Sequence, residues 1–439
     1  MTTVHGIISW AIIAAMLATA GTPNTDTPDA SADERGDPVD YNGVRFTITN
    51  AAPDELATTW TVVEEVGLIL EDTIYKRTLK VEERHNIAVE EVQCDVDSVR
   101  RNILAGEKSG DIIDIDAASA IDLARDGLLY RLDEADELDF ADEWWDNNLI
   151  DDLRLDYAFA AVGDANVSVN DATEILAFNP QLAEDMRLGD LYSAVYDGSW
   201  TIDRLNMLSR EVGRDYDGDG IMNENDVYGL LAPERDALVG LWVGMDRTSA
   251  EWGEDESLQP LPTADASFYE LVGRLENWLN DYGMSYDGAA FAADGTSDSD
   301  AVIDAVDSGL KNMFVSGNGL FWSAGLGELR GVRKDGIDFG ILPYPKSDAA
   351  QEDYISRVKN CAVSVIPVTV ENFKMSAEVL NLLNMVSREY LPEAYFADIV
   401  LTKKGEDIWN MYDLILANRR FDLGDLMWDD LLTRIGEAE

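Results

Sequence analysis

Residues 215–226 read DYDGDGIMNEND, with Asp215, Asp217 and Asp219 at alternate positions before Gly220, then Asn223 and Asp226. The spacing follows the D-x-[DN]-x-[DN]-G calcium-loop pattern, except that Asp226 stands where a Glu usually closes the loop. Calcium takes roughly six to eight oxygens at about 2.4 Å, which these side chains and the carbonyl of Ile221 are able to supply. Asp226 is one methylene short of a bidentate Glu, so the expected hold is weak. The same residues also describe an acidic glycine turn with no ion, and both readings stand. Calcium offers no redox chemistry and would be caged here by protein oxygens, so the expected ion is a structural staple rather than a catalyst.

Other chemistry-bearing residues are sparse or scattered. Two histidines, His5 and His85, leave no material for a His-rich zinc site. Cys94 and Cys361 suffice for one disulfide or for two free thiols. Flat rings cover the apolar faces of sugars while Asp, Asn and Arg bond the hydroxyls. The candidates for such a cleft are Trp144, Trp145 and Asp146, Trp242, and Phe321 with Trp322, beside glycines 317, 319 and 325 that permit close approach. Asp116, Ser119 and Asp164 join them at expected strand ends. Each Trp fits a core equally well, and Asn179 is expected to satisfy backbone. No nucleophile elbow, phosphate loop or helical zinc motif occurs.

Something must position these residues. A chain of 439 residues exceeds one comfortable core, so two lobes and a cleft between them are expected. Val44 to Ala51, IAVEEVQCD and GDIIDIDAAS read as strands, separated by the helical spacing of TTWTVVEEVGLILEDTIYKRT and VDSVRRNILAGEK. That alternation means a parallel sheet wrapped by helices, with ligands outside the carboxyl ends of the strands. EILAFNP, GNGLFWSAG, DFGILPYP and CAVSVIPV are further strands; residues 191–212, 268–282, 301–307 and most of 376–434 read as helical.

A net charge of -53, from 86 acidic against 33 basic residues, argues against nucleic acid and anionic membranes as partners. It suits a salty exterior, where self-repulsion is screened over about 10 Å at 0.1 M and less at higher salt. Residues 7–18 are apolar and end in Ala18-Thr19-Ala20, which reads as a signal peptide over 1–20, followed by a flexible acidic linker over 21–40. No Cys follows to carry a lipid anchor. An uncleaved anchor is the alternative. The expected location is extracellular or at the cell surface.

The stretch LAFNPQLAEDMRLGDLYSAVYDGSWTIDRLNMLSREVGRDYDGDGIMNENDVYGL resembles the extracellular solute-binding proteins of ABC importers, the maltose-binding-like family 1. A strand ending in Phe-Asn, a Trp-Thr turn opening a helix, and an acidic loop before Tyr-Gly occur there in this order. LAGEKSGDIIDI, EWWDNNLIDDL and DFGILPYPKSDAAQEDYIS agree, and the resemblance spans about residues 41 to 425. It implies a two-lobed α/β receptor of the periplasmic-binding-protein-like (type II) fold, with parallel-type sheets and several hinge crossings. Carried onto this sequence, the crossings fall near 161–164, 359–362 and 391–394. The N-terminal lobe is then 41–162 plus 362–391, and the C-terminal lobe 163–361 plus 392–439.

The resemblance further implies a monomer that closes on a small solute, a sugar or oligosaccharide, and hands it to ABC permease transmembrane subunits. It implies no catalysis. Two alternatives remain: a secreted carbohydrate-active hydrolase using two carboxylates, and a surface glycan-binding protein without a permease. With 86 acidic residues, carboxylate pairs arise by chance and do not discriminate.

Overall fold

The computed structural model describes residues 39–428 except 55, 254–256, 261–272, 274–280, 282, 293–298 and 401–404. The expected signal peptide, the linker up to residue 38 and most of the helix expected at 268–282 lie outside the described residues.

Fourteen strands are present among the described residues: β1 Val44–Asn50, β2 Ile87–Gln93, β3 Ile112–Asp116, β4 Ala160–Ala161, β5 Glu174–Phe178, β6 Tyr228–Leu231, β7 Ala250–Trp252, β8 Leu258–Pro260, β9 Ser285–Tyr286, β10 Gly319–Gly325, β11 Gly340–Leu342, β12 Ser356–Arg357, β13 Ala362–Val365 and β14 Arg419–Arg420. Two five-stranded sheets carry the fold, ordered β2-β1-β3-β13-β4 and β9-β6-β10-β5-β11. In the first, β1 is parallel to β2 and β3, while β13 is antiparallel to β3 and β4. The second repeats this plan: β6 is parallel to β9 and β10, while β5 is antiparallel to β10 and β11. The sheets are therefore mixed, each with one reversed strand. That strand is supplied in each case by the chain as it arrives from the other sheet.

The central strands are buried along their whole length, IIDID in β3 and GLFWSAG in β10, as sheets covered by helices on both faces require. The helix after β1 starts at Ile69, later than the apolar spacing from Thr58 suggested. Carboxylates explain the delay, because they take the backbone N–H groups that helix would need. Thr58 donates to Asp114 at 3.1 Å, Trp60 and Thr61 to Glu91 at 3.2 and 3.0 Å, and Val66 and Gly67 to Asp72 at 2.7 and 3.1 Å.

Each sheet has its own core. Phe46, Ile48, Trp60, Ile113, Phe159 and Val363 are buried around the first; Leu176, Trp200, Leu205, Leu231, Trp322 and Ile341 around the second. Residues 162–173 connect β4 to β5, and 358–361 connect β12 to β13. A third link is the continuous helix Phe373–Ile399, whose Leu380 and Leu383 lie in the first core and whose Leu391, Tyr395 and Ile399 lie in the second. Pro392 sits at this changeover. Phe421, Leu423 and Leu426, which the sequence boundary at 392 left with the second lobe, are buried in the first core.

Cys94 and Cys361 are free thiols. No helix among the described residues is long and apolar enough to cross a membrane.

Candidate functional site

The register fixes which sheet edges meet. Ala362, the first residue of β13, pairs with Asp116, the last of β3; Glu174, the first of β5, pairs with Gly325, the last of β10. Both crossings thus enter a sheet at its carboxyl edge. The first of them also leaves from such an edge, at the end of β4. The carboxyl edges of the two sheets are joined, and the space between them is the candidate site.

On the first side, Asp116 caps the helix Ala117–Arg125 through the Ser119 N–H at 3.0 Å. It also accepts from Asn360 Nδ2 at 3.3 Å. Asn50 Nδ2 donates to the Thr58 carbonyl at 3.3 Å, and Thr58 Oγ1 meets Ser168 Oγ at 2.7 Å on the first crossing. Burial pushes the Asp114 carboxyl up to about 8, even though the Thr58 N–H donates to it.

On the second side lies a knot of charges that sequence reading missed. Arg357, 2 % exposed, reaches Glu174 and Asp236 at 3.1 Å and Asp425 at 2.7 Å. Lys359 reaches Asp236 at 2.8 Å and Glu174 at 3.5 Å, and Arg235 reaches Asp425 at 2.9 Å. Burial alone would raise the Asp236 carboxyl, but Lys359 and Arg357 outweigh it and hold the group well below the ordinary range. Burial would likewise lower the Lys359 amine, and Asp236 with Glu174 overturns that and raises it. Glu328 accepts from the Gly325 N–H at 2.6 Å, and burial pushes its carboxyl up to about 7. The available signal was the run SRVKN at the crossing, where Arg and Lys are rare cations in an acidic chain.

The residues expected from sequence divide into three groups. Asp116 and Ser119 are at the mouth of the first sheet, as described. Trp144, Trp145, Asp146 and Asp164 gather at the start of the first crossing. Asp164 N–H donates to the Trp144 carbonyl at 3.0 Å, and Trp144 Nε1 donates to Asn381 Oδ1 at 3.0 Å. Trp145 is buried edge-on to Phe140, 5.4 Å between centroids. Asp146 caps the helix Asn147–Leu153 and pairs with Arg419 at 2.7 Å. Burial raises the Asp164 carboxyl to about 6, opposed by Arg388 and Arg419.

The third group is a correction. Phe321 and Trp322 are 0 % and 1 % exposed, packed on Trp200 and Phe314 at 5.4 and 5.5 Å, and Trp242 is buried in the same core. β10 is covered on both faces, so its rings have no free side for a ligand. Trp145 is equally enclosed. Asn179 caps the helix Pro180–Asp185 by accepting from Leu182 N–H at 3.0 Å.

In the acidic loop, Asp215, Asp217 and Asp219 each bring a carboxylate oxygen within 4.8 Å of the others. Asp226 is fully buried and accepts from Tyr216 N–H at 2.7 Å and Asn223 N–H at 2.8 Å. Its two oxygens already brace both ends of the loop. Asn223 Oδ1 accepts from the Asn225 N–H at 2.9 Å, and the Ile221 carbonyl accepts from Asn223 Nδ2 at 3.2 Å.

No family model matches the chain, and no curated protein matches it. Among solved structures, the chain is similar to a cyclo/maltodextrin-binding protein complexed with maltotetraose: TM-score 0.58, 13% identity, covering 89% of this chain and 90% of that one. It is also similar to the GacH receptor of Streptomyces glaucescens, solved unliganded and with acarbose: TM-score 0.52, 13% identity, 90% and 92% covered. A third is an ABC substrate-binding protein from Listeria monocytogenes in complex with cycloalternan: TM-score 0.54, 10% identity, 90% and 95% covered. At such identities the likeness shows a shared fold, the two-lobed α/β architecture with helix-wrapped sheets expected from the sequence.

Proposed function

We propose that this protein is the substrate-binding receptor of an ABC importer, taking a sugar or oligosaccharide between its two lobes and presenting it to permease transmembrane subunits. The observation that carries the reading is the facing of two like sheets across their carboxyl edges, joined by crossings that work as hinges. Ligand contacts from both lobes favour the shut form by their differential affinity, so binding is a population shift toward closure. The named ligands of the similar structures, maltotetraose and cycloalternan among them, support a carbohydrate.

In this reading the protein works outside the membrane as a monomer, exported by its apolar N-terminal segment. The negative shell suits a salty medium. Ca2+ held by Asp215, Asp217, Asp219, Ile221, Asn223 and Asp226 staples the acidic loop; the clustered carboxylates of Asp215, Asp217 and Asp219 support this. Of the cleft residues, Asp116, Ser119, Asp164, Asp146 and the partly exposed Trp144 keep their place as candidates.

The test is calorimetry with maltodextrins and other neutral oligosaccharides, followed by chromatography of the recovered sugar. Saturable binding with intact sugar is expected. Released shorter products would overturn the receptor reading in favour of hydrolysis.

A further inference from the structure

Two buried oxygens at the mouth of the first sheet lack a donor. Asn50 and Asp114 are partners in the register of β1 and β3, so their side chains share one face of strands about 4.8 Å apart. Both are sealed, 2 % and 0 % exposed. They converge on one residue: Asp114 Oδ2 accepts the Thr58 N–H at 3.1 Å, and Asn50 Nδ2 donates to the Thr58 carbonyl at 3.3 Å. Asn50 Nδ2 also donates to Glu91 Oε1 at 3.0 Å, so both of its amide protons are committed. Turning the amide over would set its oxygen against two acceptors. What remains is Asn50 Oδ1 and Asp114 Oδ1, two acceptors with no donor among the described residues. The indole N–H of Trp60, itself without an acceptor, acts on the same carboxyl. Turned onto Asp114, it would still leave Asn50 Oδ1 unserved.

A buried acceptor without a donor is costly, and one hydrogen on Asp114 Oδ1 would serve both atoms at once. The surroundings favour it. Glu91 on β2 accepts from Asn50, from the Trp60 and Thr61 N–H groups at 3.2 and 3.0 Å, and from the Thr61 hydroxyl at 3.3 Å, a donor set that suits a carboxylate ion. A second charge beside it in a dry site is disfavoured, and burial, with Glu91 adding to it, raises the Asp114 carboxyl to about 8. Arg77, on the helix Ile69–His85, is turned to the Trp60 carbonyl at 2.9 Å, and the Cys361 thiol lies ahead of β13 within the influence of Asp114. Ser364, the register partner of Asp114 on β13, is uncharged.

We propose that Asp114 carries a proton in the folded chain and donates it to Asn50 Oδ1, and that this proton fastens residues 58–61 to the mouth of the first sheet, so that this wall of the candidate site loosens in alkaline medium. The segment hangs on three side chains: Thr58 on Asp114 and Asn50, Trp60 and Thr61 on Glu91. When the proton leaves to hydroxide, a carboxylate faces the amide oxygen of one holder and the carboxylate of another. All three holders are then set against each other. The device does not depend on which solute is bound.

The experiment compares the full chain with Asp114→Asn, in which an amide N–H stands where the proton stood. Infrared difference spectra of chains carrying carboxyl-labelled aspartate should show a carboxylic acid band at pH 7 in the parent that the variant lacks. Hydrogen exchange of residues 57–61, corrected for the intrinsic effect of pH, should lose protection above about pH 8 in the parent and keep it in the variant. A carboxyl raised by folding contributes its stability below the unfolded value and loses it as pH rises through the folded one. Urea unfolding should therefore show the parent's unfolding constant growing up to tenfold per pH unit relative to the variant between about pH 5 and 8, and level above. A parent without the band, or protection that falls equally in both chains, overturns the proposal. Because Asn is the isostere of the protonated acid, a variant that fails to fold at pH 7 overturns it as well.

Discussion

Replacing Arg357 by Met tests the charge knot as a structural pin. Its guanidinium sits among three carboxylates at 2.7 to 3.1 Å, on β5, on the helix Glu234–Gly244 and on the helix Leu423–Met427. At an effective dielectric of about 20, each pair is worth roughly 4 kcal/mol of Coulomb energy, so about 12 kcal/mol gross. Desolvation of four ions offsets most of that, and removing one member of a buried pair typically costs about 3–5 kcal/mol. With an unfolding entropy near 0.8 kcal/mol/K for roughly 400 folded residues, the melting temperature should fall by about 4–6 °C. The loss should depend on pH. Burial already raises the Glu174 carboxyl, and without the opposing Arg357 it rises further above its unfolded value. A group shifted in that sense contributes its stability below the unfolded pKa and loses it as pH rises through the folded one. The deficit relative to the parent should therefore be smaller near pH 5 than near pH 8, as read by urea unfolding at both. A loss below about 1 kcal/mol at pH 8, or one independent of pH, would refute the reasoning.

Three further outcomes are expected. Trp322→Ala should cost about 3–5 kcal/mol of stability in urea unfolding, as a buried aromatic in a closed core does, while any measurable ligand affinity of the folded fraction stays within about twofold. Glu328, raised to about 7 from an ordinary 4.5, adds stability that is complete below about 4.5 and fades as pH climbs through 7; Glu328→Gln should flatten the stability profile across that window. For the acidic loop, calcium at about 100 times its dissociation constant should raise the melting temperature by about 3 °C, from roughly 2.7 kcal/mol of linkage, and chelation should reverse it. Asp217→Asn should abolish that response.

The two-lobed plan was legible because strand and helix periods alternate cleanly and because motif order along the chain carries fold information. The reversed strands were not legible. CAVSVIPV and EILAFNP read as strands, but nothing in an apolar run states its direction; that comes from where the chain re-enters a sheet. Trp322 shows the same limit at the site. A Trp between glycines looks like a platform, yet in β10 both faces are covered, and burial there is decided by the helices around it. Asp116 was expected at a strand end by the rule that ligands meet the carboxyl ends of parallel strands, and β3 does end there, with Ser119 in the first turn of the helix that Asp116 caps. Glu174 and Asp236 were invisible because they come from parts of the chain far from the SRVKN run that carries Arg357 and Lys359. In a sequence with 86 acidic residues, no single carboxylate stands out until folding sets cations beside it.

Small-angle X-ray scattering of the full chain, free and with a saturating saccharide identified by calorimetry, tests hinge closure directly. The account predicts a smaller radius of gyration and a shortened maximum dimension once the sugar is bound. Superimposable profiles under proven saturation would contradict it.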